Sequence, residues 1–184
     1  VLDAGQIQLQ QTPCDLAVLL ADAITRVAAR AQAKQQQIDF RAAAGAIVLA
    51  DAERLDQVFE NLLSNAVKFS PVKGLIEVWI ELEPECVRVA VRDYGPGLSV
   101  DDRQQLFRRF QRLSARPTGG ESSTGLGLAI VKDLVELHGG TVRAESEGSG
   151  RGATFLVELP RLQNPPLRMA TAANETDPAH QRVG

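Results

Sequence analysis

The chain has 184 residues, of which 44% are hydrophobic and only 4% aromatic, and a formal net charge of −3. That is enough for one full domain with a core of Leu, Val, Ile and Ala, and the lack of a basic excess argues against a nucleic-acid-binding surface. No apolar run approaches the roughly eighteen residues of a membrane span, no signal peptide is visible, and Cys14 and Cys86, without CxxC spacing, suit two thiols in a reducing cytosol better than a disulfide framework or a zinc site.

In chain order, residues 1–11 read as a linker ending in a short strand at 7–10. The chain begins with Val1, so a fragment is expected, with a transmembrane or sensory part elsewhere. Helical spacing of Leu16, Leu19, Leu20, Ala23, Ile24 and Val27 predicts a helix over 15–35, opened by Pro13 and capped by Asp15. Short strands follow at 38–41 and 47–50, around the turn at Ala44-Gly45. Asp51 caps a second helix that Ser70-Pro71 stops. On that helix Leu55, Val58, Leu62, Ala66 and Phe69 form the core-facing stripe. Asn61, Asn65 and Lys68, at i, i+4 and i+7, share a neighbouring face. Amide oxygens are hard ligands suited to Mg²⁺, and a lysine one turn on suits a phosphate; an ordinary polar helix face has the same spacing.

Alternation over 74–82 and 86–92, with a turn at Glu83-Pro84-Glu85, predicts a hairpin. Its second strand delivers Asp93 to the tip, where a carboxylate can accept a hydrogen bond from an exocyclic amine and so tell adenine from guanine. Gly95 and Gly97 let the backbone approach a flat ring, although Asp-Tyr-Gly-Pro-Gly is also good turn chemistry. Residues 93–124 then form a loop long enough to suggest function, with a helical piece near 100–107. Phe107 and Phe110 stand one turn apart, as anchors for a mobile loop whose Arg112 and Arg116 can reach phosphates, or as core aromatics beside a solvated basic run. Gly125 and Gly127 open a third helix over 126–138 and clear space for an anion at its N–H groups. No Walker Gly-Lys-Ser/Thr follows them, and no strand precedes them as a dinucleotide fingerprint requires. Gly139-Gly140 stops that helix, and a last hairpin spans 141–146 and 153–159. The polar, Pro-rich segment 161–184 is expected to be disordered. Together these elements predict an α/β two-layer sandwich, a mixed and largely antiparallel sheet with three helices on one face.

Four ordered segments resemble the boxes of sensor histidine kinases. Residues 51–70, with Asn61-Leu62-Leu63-Ser64-Asn65-Ala66-Val67-Lys68, resemble the N box. Asp93-Tyr94-Gly95-Pro96-Gly97-Leu98 resembles the G1 box, Leu106 to Arg112 the F box, and Thr124-Gly125-Leu126-Gly127-Leu128 the G2 box. Leu137-His138-Gly139-Gly140 is also typical, and the resemblance covers about residues 2–160. It implies the Bergerat-type ATP-binding sandwich over 12–160. Asn65, with Asn61 beside it, would coordinate Mg²⁺; Lys68 and Arg112 would contact phosphate; Asp93 would bind the adenine amino group. Tyr94, Gly95, Gly97, Leu98, Phe110, Thr124, Gly125, Leu126, Gly127 and Leu128 would complete the nucleotide site, with a lid at about 111–124. Asn65, Lys68 and Arg112 would be the residues nearest the chemistry.

The implied activity is phosphoryl transfer from ATP to a histidine on a separate helical dimerisation domain of the same protein, and onward to an aspartate on a response-regulator receiver domain. Only His138 and His180 are present; His138 is expected to be structural, and the acceptor to lie outside this chain. The chain is expected to bind ATP and ADP and to be cytoplasmic, bacterial in type, monomeric, and without nucleic-acid or membrane contact. Ser123 stands where the family often has Gly, and Tyr94 where a small polar residue is common. Glu60 beside Asn61 can polarise an attacking group, as acidic residues do in hydrolytic relatives. Three other readings compete. A chaperone-, gyrase- or mismatch-repair-type ATPase would lack the Phe107/Phe110 box. A docking module without turnover would be expected to have lost Asn65, Asp93 or the glycines. An anti-sigma-type serine kinase would be shorter.

Overall fold

The computed structural model describes residues 8–109, 118 and 125–163. Two sheets form. The larger has the order β2-β4-β5-β7-β6, from strands Gln37–Arg41 (β2), Leu75–Leu82 (β4), Cys86–Asp93 (β5), Thr141–Glu145 (β6) and Ala153–Pro160 (β7). Only the β2–β4 pairing is parallel; the others are antiparallel. Helices Leu16–Ala33 (α1), Ala52–Phe69 (α2) and Gly127–Leu137 (α4) cover one face, with α2 between the other two. A short helix, Val100–Gln105 (α3), lies between β5 and α4. The mixed two-layer sandwich is therefore present.

The apolar periodicities account for this arrangement. Val87, Val89 and Val91 of β5 and Ile76, Val78 and Ile80 of β4 alternate inward. They meet Leu55, Val58, Phe59, Leu62, Leu63, Ala66 and Val67 of α2, all buried. Side-chain caps start the helices as read: Asp15 accepts from Ala17 N–H at 2.9 Å and Asp51 from Arg54 N–H at 3.2 Å. His138, buried at the end of α4, accepts the Asp51 N–H at Nε2 (3.1 Å), while its Nδ1 lies 2.7 Å from the Leu134 carbonyl oxygen. Both ring nitrogens are thus committed to tying α4 to the start of α2.

The first strand differs from expectation. It spans Thr12–Asp15 (β1) instead of 7–10, and it pairs with Ile47–Ala50 (β3) in a separate two-stranded sheet. Pro13 was read as a helix opener, but an edge strand tolerates a residue without an N–H. The strands flanking Ala44-Gly45 consequently belong to different sheets. Both cysteines are free thiols, Cys14 buried and Cys86 half-buried. No helix among the described residues is long and apolar enough to cross a membrane.

The outer sheet face is polar and cross-linked. Glu158 of β7 accepts from Arg143 at 2.8 Å and from Arg88 at 2.9 Å. These two guanidiniums hold its carboxyl down at about 2. A depressed carboxylate contributes stability above its unfolded pKa that is lost as pH falls through the folded value. Melting curves should therefore show the wild type losing stability from about pH 4.5 towards about pH 2 by more than Glu158→Gln does; parallel losses in both proteins would show that the two arginines add nothing.

Candidate functional site

The Asp93 carboxyl sits at the inner end of β5 and is 5% exposed. One of its oxygens accepts the Gly95 N–H at 2.9 Å. Burial pushes its pKa up to about 6, and the N–H groups of Gly95 and Ala153 oppose that rise. Around it Asn65, Phe69, Pro96, Gly97, Leu98, Leu128, Ala153 and Phe155 line a cleft. This brings together side chains and backbone from α2, the loop after β5, α4 and β7. The cleft is narrow, about 30 Å³. A larger open hollow, about 540 Å³, lies on the outer sheet face among Arg41, Glu77, Trp79 and Arg92. Arg41 and Glu77 there are already ion-paired at 2.9 Å, and none of the expected site residues lines it. A buried carboxylate and a half-buried amide in a mostly apolar cleft mark the site.

Beside the cleft, Asn61 donates from Nδ2 to its own helix at Gln57 O (2.8 Å). That leaves Oδ1 turned towards the first residue of α4: a Cβ on Gly127 would stand 2.7 Å from it. Gly127 is bare where the two helices meet. The start of α4 has no side-chain cap hydrogen bond among the described residues, and a helix start is where N–H groups can face an anion. Gly125, just ahead, adopts φ +68°. Lys68 places its ammonium 5.7 Å from the centre of the Phe69 ring. The end of α2 around it is clasped by side chains. Lys34 Nζ donates to Val67 O (3.1 Å) and Lys68 O (3.2 Å). Gln36 Nε2 donates to Val67 O (3.0 Å) and Ser70 O (2.9 Å), and Thr118 N–H donates to Lys68 O (3.1 Å).

Gly95 and Gly97 are needed for a reason other than approach to a ring. A Cβ on Gly95 would come 2.5 Å from Phe69 O, and one on Gly97, at φ +71°, would come 2.1 Å from Gly148 O. The loop is wedged between α2 and the β6–β7 turn. Tyr94 does not line the cleft as expected. Strand alternation turns it to the outer side, where its hydroxyl donates to Glu77 at 2.6 Å and its ring lies 4.7 Å from the Arg92 guanidinium. Phe69, placed in the core stripe from sequence, instead lines the cleft. Leu98 is buried beside Asp93, and the capping box of Ser99 and Asp102 starts α3 immediately after it. Phe107 packs against the core. Phe110, Arg112, Arg116, Ser123, Thr124 and His180 lie outside the described residues.

Ala153 and Phe155 were not foreseen. The signal for them is the β5–β7 register, Asp93 opposite Ala153 and Val91 opposite Phe155. No group of three or more His, Cys, Asp or Glu side chains suited to a metal occurs among the described residues. Amide oxygens with phosphate oxygens and water remain a fitting set for Mg²⁺, and the amides at hand are Asn65, in the cleft wall, and Asn61, one turn before it on α2.

Residues 50–163 match the family described as histidine kinase-, DNA gyrase B- and HSP90-like ATPase. Over 160 residues the chain is 38% identical to the sensor histidine kinase TmoS of Ectopseudomonas mendocina, covering 86% of this chain and 16% of that protein. Among solved structures it resembles the mycobacterial sensor histidine kinase MprB (TM-score 0.74, 29% identity, 81% of this chain and 97% of that one). It also resembles full-length ShkA in complex with AMPPNP (TM-score 0.74, 33% identity, 88% of this chain and 34% of that one). The chain spans 16%, 21% and 33% of the length of three curated relatives it matches.

Proposed function

Because this chain belongs to the histidine kinase-, DNA gyrase B- and HSP90-like ATPase family and is an ATP-binding domain of the histidine kinase kind, we propose that its Asp93 cleft takes the adenine of Mg-ATP for phosphoryl transfer to a histidine elsewhere in the same protein. The observation that carries the reading is the meeting of a buried carboxylate with Asn65 in one cleft, beside the start of α4. Asp93 accepts from the adenine amino group, with Leu98, Phe155 and Leu128 against the ring. Asn65 and Asn61 hold Mg²⁺ through amide oxygens, and the ion neutralises phosphate charge. Lys68, Arg112 and the N–H groups opening α4, at Gly125, Leu126, Gly127 and Leu128, take the phosphates, with Thr124 and Phe110 completing the enclosure. Tyr94 serves as an outer brace. The domain occupies 12–160, because β1, α1 and β2 pack into the same core as the matched segment.

Phosphoryl transfer needs an acceptor histidine, and His138 is buried with both ring nitrogens engaged. In this reading the acceptor lies on a helical dimerisation domain of the same protein, and a receiver aspartate takes the phosphate next, on the cytoplasmic side. The test is calorimetric titration with AMPPNP, with and without Mg²⁺, on wild type and Asn65→Ala. The variant should keep nucleotide binding but lose its tightening by Mg²⁺. Transfer to an added histidine-bearing helical domain should drop by about 10²-fold or more. Unchanged Mg²⁺ dependence in Asn65→Ala would remove the amide from the metal site, and no heat from the wild type at millimolar nucleotide would overturn the whole assignment.

A further inference from the structure

The glycine-rich turn between β6 and β7 grips the loop that follows Asp93 along its whole length. Gly150 N–H donates to Pro96 O at 2.6 Å and Gly152 N–H to Gly95 O at 3.2 Å. At the root of this turn one hydroxyl links the two segments. Ser146 Oγ donates to Gly152 O at 2.7 Å and accepts from Leu98 N–H at 3.1 Å and from Gly148 N–H at 3.3 Å. A hydroxyl has one proton and two lone pairs, so those three bonds use its full capacity. The contact between the segments is otherwise backbone on backbone, without room for a side chain: a Cβ on Gly152 would stand 2.1 Å from Asp93 O. Leu98 is 4% exposed and forms the cleft wall beside Asp93.

We propose that Ser146 is a positioning residue for nucleotide binding: its hydroxyl locks the turn onto the loop and so fixes Leu98 and the Gly95–Gly97 backbone against the base. This rests on the adenine assignment above. Ser146 lies outside all four boxes and touches no atom of the expected ligand; it acts through Leu98. Removing the hydroxyl leaves Leu98 N–H without its acceptor and the turn held to the loop by the remaining bonds from the Gly150 and Gly152 N–H groups.

The test uses the full chain, titrated with ATP and Mg²⁺ well below its melting temperature, with amide exchange read at Leu98, Gly150 and Gly152. Ser146→Ala should weaken ATP binding by about tenfold and speed exchange at all three amides. Ser146→Thr, which keeps the hydroxyl, should bind within about threefold of wild type, as should Ser149→Ala on the same turn. Should Ser146→Ala fail to fold, Ser146→Cys, similar in shape but a weak hydrogen-bonding group, takes its place with the same expected loss. Wild-type affinity in Ser146→Ala, or equal losses in Ser146→Ala and Ser146→Thr, overturns the role of the hydroxyl. Absence of ATP binding by the wild type overturns instead the assignment on which it rests.

Discussion

Asp93→Asn is expected to weaken ATP binding at least about 100-fold yet to raise the melting temperature of the free chain at neutral pH. The carboxyl is buried, and burial lifts its pKa to about 6. A carboxyl whose folded pKa lies above its unfolded value contributes stability that is fully present below about pH 4 and is lost as pH rises through about 6. At neutral pH the ionised group therefore destabilises the free fold by up to about 3 kcal/mol. Asparagine carries no charge to desolvate, and its Oδ1 can still accept the Gly95 N–H. Its Nδ2 then faces the cleft as a donor, opposite the donor amine of adenine. Binding should weaken by at least about 100-fold, while melting at about pH 7.5 rises by a few degrees. In the wild type, ATP affinity should fall as pH drops through about 6, because the stronger acceptor is the ionised form. An asparagine variant that binds ATP within threefold of wild type would remove Asp93 from the base site.

Gly97→Ala is the second large effect, and it joins stability to binding. Two costs combine at this residue. Its φ of +71° penalises any Cβ by about 1–2 kcal/mol. The Cβ would also stand 2.1 Å from the Gly148 carbonyl oxygen, which forces backbone apart in a place where Gly150 and Gly152 are bonded to the same loop. A loss of about 3 kcal/mol or more and of measurable ATP binding is expected. Gly45→Ala supplies the comparison. Its φ is +81° with nothing within 4 Å of the new Cβ, so about 1 kcal/mol is lost and ATP affinity does not change. If urea unfolding gives equal losses for the two variants, the wedge between loop and turn is not what Gly97 serves.

These residues also mark where the sequence was legible. The face of α2 that carries Asn61 and Asn65 could be read because helical period is local, and Asp93 because an alternating strand runs directly into it. Alternation applied one residue further would have turned Tyr94 away from the cleft, since its neighbour points in. Ala153 and Phe155 were hidden because they reach the site through pairing of β5 with β7, some sixty residues apart, whose register no local pattern fixes, and Ser146 because it reaches Leu98 by a side-chain bond across 48 residues. The glycines of the loop were found by motif, but their reason was not: the room they make is taken by the protein's own backbone. β1 was misplaced because proline before an apolar helix fits a helix opener and an edge strand alike.

The small sheet has a mechanical consequence. β3 is flanked by β1 on one side and by the segment after β7 on the other, where Arg161 bridges to Val48 and Leu162 N–H donates to Ile47 O at 3.0 Å. Both flanking segments run antiparallel to β3, with Thr12 level with Ala50 and Leu162 near Ile47. Tension applied between residues 10 and 163 would then pull the two outer strands past β3 in shear and load the rungs of the ladder together instead of one at a time. Because residues 161–163 continue β7 directly, the load divides between β3 and the five-stranded sheet. β7 also lines the cleft through Ala153 and Phe155, so the rungs on β3 take a share of any pull on the chain that would otherwise fall wholly on the strand beside Asp93.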